Sequence, residues 1–118
     1  VLTIYVAGLA AECLFRAFRA QKGLAFRSDH SLEALSRDAG FPGLIPSADR
    51  TRFDAALVDM ILGWQNSHRF CSENAIRTYI KRRGLDRGVK GDAVKELARR
   101  LSSGAVELVQ LGVMQWTK

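Results

Sequence analysis

From Val1 to Phe18 the chain is apolar except for Thr3, Gly8, Glu12 and Arg16. A carboxylate buried and unpaired among so many apolar side chains costs several kcal/mol, so Glu12 demands either an ion pair or a site. The uninterrupted apolar stretch is shorter than the roughly 20 residues a membrane span needs, and Glu12 and Arg16 would fall inside any such span. A buried core helix is the expected reading, with no membrane association. The chain enters at Val1 already in helical register and without a capping residue, so a preceding segment is expected.

The helical period continues through the remaining sequence. The first helix is expected from about Val1 to Lys22, stopping at Gly23. Ser28 or Asp29 is placed to cap a short second helix carrying Leu32 and Leu35 and ending near Gly40. The segment Phe41-Pro42-Gly43-Leu44-Ile45-Pro46 holds both prolines and reads as a loop. Ser47 or Asp49 starts a third helix with Phe53, Leu57, Met60, Ile61 and Trp64 in register. Ser72 caps a fourth, bearing Ile76, Tyr79 and Ile80 and closed at Gly84. Asp92 caps the last, with a stripe from Val94 through Leu101 and Leu108 to Trp116.

That stripe passes unbroken through Ser102-Ser103-Gly104, which favours one continuous helix over a helix-turn-helix. Gly104 within it predicts close packing against a neighbour. No stretch alternates with period two. The expectation is a single all-α domain over residues 1–118, an antiparallel helical bundle of about five helices.

Composition matters for the choice of partner. The net charge of +6 is unevenly placed: residues 1–60 carry seven Lys/Arg against seven Asp/Glu, and residues 61–118 carry eleven against five. A one-sided excess of this kind suits an anionic partner such as nucleic acid. The two cysteines, Cys13 and Cys71, make no disulfide framework and read as reduced cytoplasmic thiols. His68 and Cys71 lie three apart, but no metal-ligand set accompanies them, and no nucleophile elbow or phosphate-binding glycine loop is present. No metal or cofactor is expected.

Three groups of residues carry candidate chemistry. Tyr5, Gly8, Glu12, Arg16 and Arg19 share one ridge of the first helix. Glu12 precedes Arg16 by four, the favourable order for an ion pair. That ridge meets either solvent, a subunit interface or a phosphate held by Arg16. Trp64-Gln65-Asn66-Ser67-His68-Arg69-Phe70 gathers an aromatic, an amide, a histidine and an arginine at a helix end. Arg77, Lys81, Arg82, Arg83, Arg87 and Lys90 form a basic stretch. It reads either as a solvated face or as a phosphate-contacting surface with salt-dependent binding.

In order along the chain, three motifs resemble the HEPN domain family (the higher eukaryote and prokaryote nucleotide-binding family). Ala7-Gly8-Leu9-Ala10-Ala11-Glu12-Cys13-Leu14-Phe15-Arg16-Ala17 resembles its core helix. His30-Ser31-Leu32-Glu33-Ala34-Leu35 is similar to its His-x-Leu-x-x-Leu helix start, and Trp64 to Arg69-Phe70 to its aromatic-x4-Arg-Tyr segment. The resemblance implies a helical bundle, often dimeric, associated with RNA or nucleotides. Many such domains are metal-independent ribonucleases of toxin–antitoxin, defence or RNA-processing systems, and others pair with a minimal nucleotidyltransferase.

Two features depart from the family pattern. Its ribonucleases place an Arg four to six residues ahead of a His, and here Gly23, Leu24 and Ala25 stand before His30, and Ile61, Leu62 and Gly63 before His68. The family's helix ahead of the core helix is also missing, and the Phe70–Asp92 connection is long. The expectation is therefore a non-catalytic, homodimeric domain in the cytoplasm that binds RNA or a nucleotide. Glu12 and Arg16 would form a polar groove, and Arg69, Arg77, Lys81, Arg82 and Arg87 would contact phosphate. The first alternative is a metal-independent ribonuclease using His68 or His30 as acid and base. The second is a structural oligomerisation or partner-binding module.

Overall fold

The computed structural model describes residues 2–24, 30–65 and 72–116. Six α-helices account for most of them: α1 Leu2–Gln21, α2 Leu32–Asp38, α3 Phe41–Leu44, α4 Arg50–Gly63, α5 Glu73–Arg83 and α6 Ala93–Trp116, with a 3-10 turn at Ser47–Asp49 before α4. No strand occurs among the described residues. The expected caps are largely in place. Ser72 Oγ accepts from the Ala75 N–H at 3.2 Å, and Asp92 Oδ1 accepts from the Val94 N–H at 2.9 Å. Gly23 and Gly84 end their helices at φ 73 and 67, a left-handed turn that suits glycine.

Two local expectations are corrected. The cap of α2 is Ser31, whose Oγ accepts from the Ala34 N–H at 3.2 Å; Ser28 and Asp29 lie outside the described residues. The Phe41–Pro46 loop contains a full helical turn, because Gly40 turns the chain at φ 67 and Pro42 supplies a helix-ready φ in the first turn. That turn puts Phe41 at the centre of an aromatic cluster. Its ring lies 5.2 Å from Phe15, 4.9 Å from Phe18 and 5.5 Å from Phe53, and Phe18 in turn meets Trp116 at 5.1 Å.

The central element is α6, flanked by α1 and α4. Its small residues allow close approach: a Cβ on Gly104 would lie 3.3 Å from the Ala56 carbonyl oxygen, and one on Gly112 would lie 2.7 Å from Leu14 Cδ1. Gly63 faces Leu97 and Leu101, while Arg52 pairs with Glu107, so α4 runs against α6. Thr3 and Ala7 share a groove with Ser102 and Ala105, and Gln21 Nε2 donates to the Trp116 carbonyl at 3.2 Å. Hence α1 runs in the same direction as α6. The bundle is mixed in direction rather than wholly antiparallel, because α1 and α6 are both opposed to α4. The continuous Ala93–Trp116 helix leaves no helix-turn-helix. No helix of the described residues is long and apolar enough to cross a membrane.

Candidate functional site

The ridge Tyr5-Gly8-Glu12-Arg16-Arg19 is covered by later parts of the chain rather than left to solvent. Trp64, just past the end of α4, lies flat over Gly8, where any Cβ would fall inside the indole. Its Nε1 donates to the Tyr5 carbonyl at 3.0 Å, and its ring stacks on that of Tyr5 with centroids 6.1 Å apart. One turn further along α1, Glu12 is buried, with 4% of its surface exposed. Its compensation is the residue ahead of α2: His30 Nδ1 stands 2.5 Å from Glu12 Oε1, and Arg16 reaches the same oxygen at 3.7 Å. Another turn on, Arg19 holds Asp38 at 3.1 Å. The ridge thus docks α2 onto α1 at two ionic contacts, with Trp64 closing its upper end.

His30 differs from the groups beneath it in being 43% exposed at the side chain, against 6% for Glu12 and 21% for Arg16. It stands on the rim of a cleft of about 280 Å³ whose walls include Trp64, Gln65 and Glu33. Ser31, beside it, is committed to capping α2. The chemistry of this arrangement is that of an oriented imidazole: a buried carboxylate fixes Nδ1 and leaves Nε2 without a protein partner among the described residues.

The basic stretch divides in two. Arg77 donates to both Glu73 and Asp92 at 3.4 Å. The hydrogen bond from Arg77, together with the Val94 N–H, holds Asp92 below its ordinary carboxylate range. Arg83 lies over the Tyr79 ring at 5.3 Å, and the Tyr79 hydroxyl donates to the Leu62 carbonyl at 2.9 Å. Burial pushes that hydroxyl above its ordinary pKa, with Arg83 acting in the opposite sense. Lys81, Arg82 and Arg87 are exposed and form no ion pair among the described residues. As expected from their spacing, Arg77 and Lys81 line one cleft, of about 410 Å³, together with Asn74, Thr78 and Asp86.

The structure therefore brings Glu12, Arg16 and His30 together, and it gathers Arg77, Lys81, Arg82 and Arg87 on and just after α5. His68 and Arg69 lie outside the described residues, as does Cys71. Among the described residues no three metal-ligating side chains cluster. Sequence reasoning missed the Glu12–His30 contact: both residues stood out, but their separation of 18 follows no helical period and carries no pairing signal. It also missed that Gly8 is small in order to receive Trp64. No protein-family model matches the chain, and comparison with curated proteins and with solved structures finds no match.

Proposed function

We propose that this chain is a HEPN-like helical domain that binds RNA or a nucleotide and pairs with a second copy of itself. The observation that carries the binding reading is the set of uncommitted cations Lys81, Arg82 and Arg87. Most other arginines of the described residues, including Arg19, Arg37, Arg52, Arg77, Arg99 and Arg100, are engaged by carboxylates of the same chain. Exposed cations without internal partners keep their full capacity to displace counterions from a polyanion. The homodimer reading is supported by the outer face of α1 and α6, where Leu2, Val6, Val106 and Val113 are at least half exposed. A cytoplasmic setting beside a nucleotidyltransferase-type partner, in a toxin–antitoxin or defence system, completes the proposal.

Fluorescence anisotropy with a labelled single-stranded RNA tests the binding. Three phosphate contacts predict a slope of about −2 for log affinity against log salt. Affinity that does not change between low and moderate salt would remove the reading. Light scattering on the eluting protein gives the mass and tests the dimer.

A further inference from the structure

The Glu12–His30 pair is more than the compensation of a buried acid. We infer that it is an acid–base site that cleaves RNA strands through their own 2′-hydroxyl, and this rests on the RNA-binding reading above. Four observations converge on it. Glu12 is almost wholly buried and its Oε1 is 2.5 Å from His30 Nδ1, so the imidazole is held by one edge. The other edge, Nε2, has no partner among the described residues, and the side chain is 43% exposed. The ring stands at a cleft large enough for part of a nucleotide, walled by Trp64 and Gln65. Arg16 meets the same carboxylate oxygen at 3.7 Å and balances its charge, so Glu12 stays ionised while it orients the ring.

The cleft also selects the substrate class. Ser31 is its only hydroxyl side chain, and that oxygen is occupied in capping α2. A histidine acting without a protein nucleophile suits a substrate that carries its own, and the ribose 2′-hydroxyl beside a phosphodiester is such a group. With Nδ1–H donated to Glu12, the bare Nε2 takes the proton from the 2′-hydroxyl. The 2′-oxygen bonds to phosphorus, the bond from phosphorus to the 5′-oxygen breaks, and the proton on Nε2 passes to that leaving oxygen. The products are a 2′,3′-cyclic phosphate and a free 5′-hydroxyl. Nothing is oxidised, no water or metal is consumed, and His30 returns to its starting form. In this scheme His30 is the catalytic residue and Glu12 a positioning residue. The non-catalytic expectation rested on the missing Arg–His spacing; this site needs no such spacing, because its partner comes from a different helix.

The test is to incubate the purified chain with end-labelled RNA and with its all-deoxy counterpart, in EDTA, following binding by anisotropy and products by gel and mass spectrometry. Cleavage of RNA alone, with cyclic-phosphate ends, is expected. His30→Asn keeps a donor toward Glu12, and so preserves the fold, but cannot carry the proton; it is expected to bind RNA normally and to lose cleavage by ~100-fold or more. Glu12→Gln is expected to lower kcat with KM unchanged. In a nitrogen-resolved NMR spectrum it should also shift the His30 proton from Nδ1 toward Nε2, which a merely structural role would not do. RNA bound but not cleaved by the wild-type chain would overturn the acid–base site and leave the binding reading standing. Undiminished cleavage by His30→Asn would overturn it as well. Absence of both binding and cleavage would remove the two together.

Discussion

The ridge of α1 and the basic stretch of α5 use the same kinds of residue to opposite ends. On α1, Glu12 and Arg19 are pressed under α2, and both find partners supplied from distant parts of the chain, His30 and Asp38. On α5, Arg77 is held by nearby surface acids, while Lys81 and Arg82 project into solvent. The difference is dielectric. A charge taken out of water must be matched by a partner in fixed geometry, and that match then positions helices. A solvated charge has no such obligation, so it is free to meet an external anion. One region is an internal fitting with an exposed histidine at its edge; the other is an outward-facing surface.

The comparison breaks most readily at Trp64. Trp64→Ala is expected to cost about 3–5 kcal/mol in urea unfolding, since the indole is buried over Gly8 and bonded to the Tyr5 carbonyl. Gly8→Ala forces the same indole out, so the double variant should cost clearly less than the sum of the singles. Equal and additive costs would show that the two residues do not meet.

A smaller effect is expected at the buried acid. His30→Ala leaves Glu12 with only the longer Arg16 contact, and a loss of about 1–3 kcal/mol should appear in the same measurement. His30→Asn should recover much of it. If His30→Ala were neutral, α2 would not be docked by this contact.

On the outward-facing side the expected stability changes are within about 0.5 kcal/mol, while binding responds. Replacing Lys81, Arg82 and Arg87 together by alanine should weaken RNA affinity and flatten its salt slope by about 2. A triple variant that unfolds more easily but binds unchanged would reverse the contrast between the two regions.

The smallest effect concerns Glu96, which hydrogen bonds from Arg99 and then Arg100 hold at about 2, against an ordinary 4.5. A carboxylate with a lowered folded value stabilises the fold above its ordinary range and loses that contribution as pH falls toward 2. Thermal unfolding of Glu96→Gln should therefore show a shallower decline between pH 4.5 and about 2 than the wild type. Added salt should shrink the difference, because the cluster is at the surface.

Much of the helical framework was legible because its signals are local. Ser72, Gly84 and Asp92 act on backbone groups within a few residues, and the α6 stripe repeats every turn. Phe41 was misjudged for the opposite reason. Pro42 and Gly43 are turn residues by local chemistry, yet the segment forms a helical turn whose leading aromatic fills the space between Phe15, Phe18 and Phe53. The candidate residues Glu12, Arg16 and His30 were each visible, but nothing in their spacing joined His30 to the other two.

The sequence by itself determined an all-helical chain, the bounds of its longer helices, and the fact that Glu12 required compensation. Those follow from hydrogen bonds and side-chain periods that act over a few residues. Only the tertiary structure decided who compensates Glu12, why Gly8 is small, and that α1 runs alongside α6 in the same direction. Each of these depends on contacts across many residues of chain, where burial and close packing select the partner and no local period records it.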